Sequence, residues 1–285
     1  MNLFDKTVTE ALKNQPNLSM LRMVVEKELL HHDILRILSQ NHLLENLTFI
    51  GGTCLRSCYG GLRLSEDLDF TGGADFTRES LSALSAILIH HLNEKYGLPV
   101  KVTEPIKETG NVDTWKIKVE TRPQNNHFPA QRINIDICAL PSYERRPIML
   151  LNPYGIDMGT SGLIIQAQSR EEIYADKLMA FALRPNRIKY RDLWDIVWLH
   201  QQGLRPSLGL IPKKLQDRHY DSNQFLKIYN ERKNLLLEDN NMQVEFSKEM
   251  SRFLPAEQMN QFIEKNNFWE FIHYLIDDLE RQMDL

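Results

Sequence analysis

Between residues 49 and 70 the chain reads FIGGTCLRSCYGGLRLSEDLDF. Asp67 and Asp69 are one residue apart in a stretch that reads as a strand. Side chains on a strand alternate faces, so the two carboxylates point the same way while Leu68 and Phe70 point the other. Adjacent carboxylates repel unless a cation lies between them. Hard oxygen donors of this kind suit Mg²⁺. Upstream, Gly51, Gly52 and Thr53 form a turn from a short strand into a helix of about two turns. The first N–H groups of a helix are unpaired and attract phosphate. A phosphate cradle beside paired carboxylates is the layout of a nucleotidyl-transfer site. Alone, an Asp-x-Asp pair is common on surface strands that bind nothing, and a Gly-Gly turn says less still. The order strand, turn, helix, acidic strand carries the reading.

This stretch resembles the nucleotidyltransferase superfamily signature: Gly-Gly or Gly-Ser, a gap, then Asp-x-Asp. In its particular form, GGTCLR followed by RLSEDLDF, it resembles the AbiEii/AbiGii toxin family and is similar to MenT-type toxins. These are the transferase halves of bacterial toxin–antitoxin and phage-abortive pairs. Arg63, Ser65 and Glu66 are typical of that family's run before the acid pair.

A second strand carries a third acid. In Arg132-Ile133-Asn134-Ile135-Asp136-Ile137-Cys138 the isoleucines share one face, and Asp136 lies on the other with Asn134 and Cys138. From the strand alone, Asp136 is equally well a solvent-facing acid. The resemblance implies that it completes the metal site from a neighbouring strand.

Further on, EEIYADKLMAFALRPNRIKYRDLWDI resembles the family's second signature. Lys177 falls on a helical stripe with Ile173 and Phe181. It reads either as a snorkelling lysine or as one aimed at a phosphate. Asp192 and Asp195 share a face early in the next helix, where capping alone accounts for acids. The resemblance implies that Lys177 and Asp192 are the essential lysine and distal acid; Asp195 also matches. The two signatures cover roughly residues 47 to 200.

The positioning elements follow from pattern. Apolar residues at helical spacing fill residues 1 to 45, among them Leu18, Leu21, Val24, Val25, Leu29 and Leu30. His31 and His32, like His90 and His91, read as surface or edge residues. Thr77 is a candidate N-cap for a helix ending near Gly97. Strands are expected at 100–104, 114–121 and 132–139. Residues 140–168 are rich in Pro and Gly and read as loop, with a last strand at 163–166. Ser169 and Glu172 make a capping box. Residues 203–285 are helical in pattern, with Trp269, Phe271, Tyr274 and Leu275 as the stripe of a last amphipathic helix. The expected fold is α+β: a nucleotidyltransferase-like mixed sheet flanked by helices over residues 1–162, then a mainly helical domain over 163–285.

The totals bound the function. With 285 residues, 42% hydrophobic and 25% charged, the composition is that of an ordinary globular protein. A net charge of −4 gives no global attraction to nucleic acid. Cys54, Cys58 and Cys138 have no metal-ligand or redox spacing and read as small apolar residues. No signal peptide or long apolar run is apparent, so a cytoplasmic protein without a membrane partner is expected.

The resemblance implies transfer of a nucleotidyl group from an NTP to a hydroxyl, with Mg²⁺ held by Asp67, Asp69 and Asp136. Gly51, Gly52 and Thr53, with Arg63 and Ser65, would hold phosphate; Lys177 would offset its charge and Asp192 would orient it. Family members include toxins that add nucleotides to the 3′ end of tRNA, and an antitoxin is an expected partner. The basic run Arg184, Arg187, Lys189 and Arg191, with Lys213 and Lys214, reads as an RNA contact or a solvated face. A protein hydroxyl is the alternative acceptor. A nucleotide-binding module acting through a partner, without transfer, is the alternative from another class.

Overall fold

The structure is a computed structural model that describes residues 2–106, 110–124, 129–185, 187–238, 241–264 and 267–283. It divides into two compact units, 1–168 and 169–285.

The first unit opens with two helices, α1 (Leu3–Asn14) and α2 (Arg22–Gln40), joined by a 3₁₀ turn over Pro16–Leu21. Asn2 caps α1 by accepting the Asp5 N–H at 2.7 Å. Then come β1 (Thr48–Ile50), α3 (Gly51–Tyr59), β2 (Leu68–Thr71), α4 (Leu84–Tyr96), β3 (Val100–Thr103), β4 (Val112–Val119), β5 (Gln131–Cys138), β6 (Arg145–Met149) and β7 (Ile164–Gln168). The Gly60 and Gly97 caps of α3 and α4 both adopt left-handed backbone, as helix ends favour.

The strands form one mixed sheet in the order β3-β4-β5-β2-β1-β7-β6. β2 runs parallel to β5, and β1 parallel to β7; the other pairs are antiparallel. Trp115, Ile117, Val119, Ile133, Ile135 and Ile137 are all buried on one face, where α2 packs against β5 and α4 against β3. Burying each such side chain stabilises the fold by about 1.5–3 kcal/mol. The opposite face of β3, β4 and β5 alternates in polar residues.

β6 lies inside the stretch expected to be loop. It is a sheet edge, mostly exposed, and Pro147 pairs across from Gln166. A proline lacks the N–H a central strand needs but is tolerated at an edge, so its sequence reads as a breaker. The last strand, β7, pairs with both β1 and β6 and so belongs to the first unit; the division expected at residue 162 precedes it.

The second unit is helical: α5 (Arg170–Leu183), α6 (Tyr190–Gln201), α7 (Ile211–Asp217), α8 (Ser222–Glu238), α9 (Met242–Met250), the short α10 (Ala256–Gln258) and α11 (Phe268–Gln282). α5 packs on α6 and α8, and α11 on α6 and α8. The buried stripe of α11 is Phe268, Ile272, Leu275, Ile276 and Leu279. Of the residues expected there, Leu275 is buried, Trp269 and Phe271 are half-buried, and Tyr274 is exposed. No described helix is long and apolar enough to cross a membrane.

Candidate functional site

Two clusters contain the residues singled out from the sequence, one in each unit. In the first unit the glycine turn is shaped by what lies against it. Gly51 has φ +75°, and a Cβ there would stand 2.7 Å from Asp69 Oδ2. A Cβ on Gly52 would stand 2.1 Å from the Arg63 guanidinium. A side chain at either position would displace its neighbour: the Asp69 carboxylate lies against the Gly51 backbone, which is also left-handed, and the Arg63 head lies against Gly52. Gly51 opens α3, so its end presents unpaired N–H groups beside the carboxylate strand.

Thr53 and Ser65, expected at the phosphate, are buried, at 0% and 5% exposure. The Thr53 hydroxyl bonds both Ser65 Oγ, at 2.6 Å, and the Asp67 carbonyl. A carbonyl only accepts and a hydroxyl carries one proton. Thr53 therefore donates to the carbonyl, and Ser65 donates to Thr53. These side chains pin the helix to the acidic strand. Arg63 is buried and donates to the Leu64 carbonyl at 3.2 Å.

The run before the acids is anchored on α2. Glu28, 3% exposed, accepts from the Ser65 N–H at 2.9 Å, from Arg56 Nε at 3.1 Å and from the Tyr154 hydroxyl. Lys27 pairs with Glu66 at 2.8 Å. His31, expected at the surface, is buried, and its Nε2 lies 3.0 Å from the Glu66 carbonyl. Burial pushes its pKa down to about 3. The ring is neutral near pH 7, and Nε2 carries the proton it donates. His32 is likewise buried, with Nδ1 3.2 Å from the Thr160 hydroxyl and its pKa lowered to about 4, chiefly by burial. α2 is covered on more than one side, which a single apolar stripe does not announce.

The acids lie on neighbouring strands. Asp69 on β2 is directly in register with Asp136 on β5 in a parallel pair, so their side chains leave the same face. Asp67 Oδ1 accepts the Asn134 N–H at 3.1 Å, tying the carboxylate to the same strand. Asp136 Oδ1 accepts the Thr114 hydroxyl at 2.7 Å. All three are half-buried, while Leu68, Phe70, Ile135 and Ile137 beside them are core. Among the described residues, the one group of three ligating atoms drawn within 4.8 Å of one another is His90, His91 and Glu94 on α4. The three aspartates are not so tightly gathered. Asp69 and Asp136 thus share a face with Asp67 tied to the neighbouring strand, and carboxylate oxygens are the donors that a hard cation takes.

In the second unit Ser169 caps α5 by accepting the Glu172 N–H at 3.0 Å. Lys177 is 9% exposed, and its ammonium meets Asp192 at 2.7 Å and Asp195 at 2.8 Å. Arg184 meets the other Asp192 oxygen at 3.0 Å. Burial works against the Asp192 charge, but Lys177, Arg184 and Lys189 outweigh it and hold the carboxyl well below its usual range. Lys189, half-buried near Arg191, Arg184 and Lys177, is lowered to about 8, mainly by burial.

Much of the basic run read as an RNA contact or a solvated face is neither, being paired inside this unit. Lys214 is 1% exposed and pairs with Glu172 at 2.6 Å and Asp176 at 2.8 Å. Arg191 pairs with Glu249 at 3.4 Å and Arg184 with Asp192. Arg187 and Lys213 remain exposed.

The mixed sheet, the helix opened by two glycines and the carboxylates beside it make up the framework of a nucleotidyltransferase. A family model described as "Nucleotidyl transferase AbiEii toxin, Type IV TA system" matches residues 33–274. The chain belongs to this family and is a nucleotidyltransferase of the toxin–antitoxin kind; the family implies an antitoxin partner. Among solved structures it is similar to MenT4, a nucleotidyltransferase toxin from Mycobacterium tuberculosis, at 14% identity and a TM-score of 0.57, covering 97% of this chain and 98% of that one. That likeness shows a shared fold. JHP933 from Helicobacter pylori matches at 14% identity and a TM-score of 0.46, over 92% and 93% of the two chains. No curated protein sequence matches the chain.

Proposed function

We propose that the protein moves a nucleoside monophosphate from an NTP to the 3′ hydroxyl of tRNA, with Mg²⁺ held by Asp67, Asp69 and Asp136. The observation that carries this is the direct register of Asp69 with Asp136, on the face that also receives the Asp67 carboxylate, with Asp69 against Gly51.

Bound there, a divalent ion neutralises triphosphate charge and lowers the pKa of the attacking hydroxyl. The chain supplies position and donors. Backbone N–H groups at the Gly51–Gly52 opening of α3 face the phosphates, and the Arg63 guanidinium beside Gly52 adds positive charge. The buried Thr53–Ser65–Asp67 linkage holds the turn at a fixed distance from the acids. The acceptor oxygen forms a bond to the α-phosphorus, the bond to the β-phosphate oxygen breaks, and pyrophosphate leaves. The hydroxyl proton passes to Asp136, whose other neighbour, Thr114, donates to it and keeps it oriented. The resemblance assigns Lys177 of the second unit a phosphate-charge role, and within that unit Asp192 and Asp195 fix its ammonium. The protein acts in the cytoplasm.

Incubation with each α-labelled NTP, Mg²⁺ and total cellular RNA tests the reading. Label at the 3′ end of tRNA, absent with Asp69→Asn, is the expected result. Label on protein alone establishes the other acceptor. Nucleotide binding with no labelled product under any of the four NTPs overturns the transfer.

A further inference from the structure

We infer that the open face of β3, β4 and β5 is the track for the phosphate backbone of an RNA acceptor. This rests on the reading above, that the acceptor is RNA.

The register builds the track. Lys101 on β3 is directly opposite Lys118 on β4, and Lys118 is directly opposite Arg132 on β5. Three cations therefore stand in a row across three strands. One step along the same face, Lys116 lies between Thr103 and Asn134. Like charges facing each other across strands destabilise a sheet. The chain has 38 acidic residues against 34 basic ones with which to avoid this. Yet the row has one acidic partner, Glu120, which meets Lys118 at 2.7 Å. Lys101, Lys116 and Arg132 are exposed and, among the described residues, form no ion pair. Two strand spacings of roughly 4.8 Å make the row about 10 Å long, a span suited to a repeated anion rather than one carboxylate.

The row leads to the acids. Along β5 the open face runs Arg132, Asn134, Asp136; four residues at roughly 3.3 Å each put the ends about 13 Å apart. Asp136 is in register with Asp69. Beside the row, exposed Ile106 and Val112, with Lys116 and one acid, Glu104, are among the residues lining a cavity of about 90 Å³. The face thus offers apolar surface as well as charge, and a nucleic acid strand presents bases and sugars as well as phosphates. Arg184, Arg191 and Lys214 of the second unit are already paired with its own acids.

The test compares the full chain carrying Lys101→Ala, Lys116→Ala and Arg132→Ala with a control of equal charge, Lys6→Ala, Lys13→Ala and Lys227→Ala. All six positions are exposed, so neither variant opens the core. Binding of bulk tRNA is measured by anisotropy across a KCl series, without NTP. The track variant is expected to bind at least tenfold more weakly near 0.1 M salt. The slope of log affinity against log salt should fall by roughly two, three phosphates at about 0.7 each. The KM for NTP should not move. Affinity and slope equal to those of the control overturn the inference, as does wild-type protein that binds polyglutamate as well as tRNA. Label on tRNA undiminished in the track variant sinks the track and leaves the RNA reading standing. A protein that labels only protein overturns the RNA reading, and the track with it.

Discussion

At the scale of single residues, the site depends on side chains that are present and on two that are missing. Asp69 sits where a Cβ on Gly51 would stand, 2.7 Å from its Oδ2. Replacing Asp69 with Asn keeps the shape and removes an anionic donor. Transfer is expected to fall by a factor of about 10² to 10⁴, or roughly 3–5 kcal/mol of barrier, with thermal midpoint and helical signal unchanged. Gly51→Ala should give a comparable loss by another route. An L-residue at φ +75° costs roughly 1–2 kcal/mol, and the new methyl displaces the carboxylate. Its signature is a small drop in midpoint with near-complete loss of label transfer; retained transfer would show that Asp69 has freedom the packing denies it. The residues here were legible unevenly. Gly51, Gly52, Asp67 and Asp69 stand in one short run, so spacing alone joins them. The burial of Ser65 and His32 was not legible, because their partners Glu28 and Thr160 lie far away in sequence.

At the scale of elements, the second unit is pinned by buried charge. Lys214 sits between Glu172 and Asp176 at 1% exposure. Lys214→Met takes the ammonium away from the fully buried Glu172 carboxylate, and is expected to cost about 3–5 kcal/mol in urea unfolding. The exposed Lys213→Met should cost under about 0.5 kcal/mol. Titration of the same unit has a definite sign. Asp192 is held below its usual range, so its contribution is present above that range and is lost as pH falls through it. Lys189 has the same sign at higher pH, although here the lowered pKa reflects a cost of burial. Its folded pKa of about 8 lies below the ordinary 10.5, so between those values the unfolded chain binds more protons. Stability should rise as pH climbs through that window, and Lys189→Met should flatten the rise. A wild-type curve already flat there would contradict the burial assigned to this lysine. The helix expected from Thr77 to near Gly97 is instead a 3₁₀ turn, Arg78–Leu81, followed by α4 from Leu84, and Thr77 makes no side-chain cap. Elements with one clear period, such as β4 and β5, could be read from sequence. β6 could not, since Pro147 reads as a breaker until its edge position is known. Nor could the cation row of β3 to β5, which exists only once the register is set.

At the scale of the whole molecule, a net charge of −4 argues against nucleic-acid binding until the charge is placed. The acids are drawn inward as partners, Glu26, Glu28, Asp33 and Glu172 among them, while one sheet face keeps its cations outward. Net charge counts both and so conceals the face. Expression in a bacterial host should arrest growth, and Asp136→Asn should relieve the arrest at equal protein level. Continued arrest by that variant would separate toxicity from the carboxylates.

The close seating of Arg63 on Gly52 bears on heredity. Cells forced to make this protein survive only by acquiring lesions in its gene. Most missense lesions that silence a protein do so by unfolding it. A glycine roofed by a guanidinium offers a rarer escape, in which a missense change adds a side chain that displaces the guanidinium and leaves a full-length product behind. Among survivors that still accumulate the intact polypeptide, codons 51 and 52 should recur.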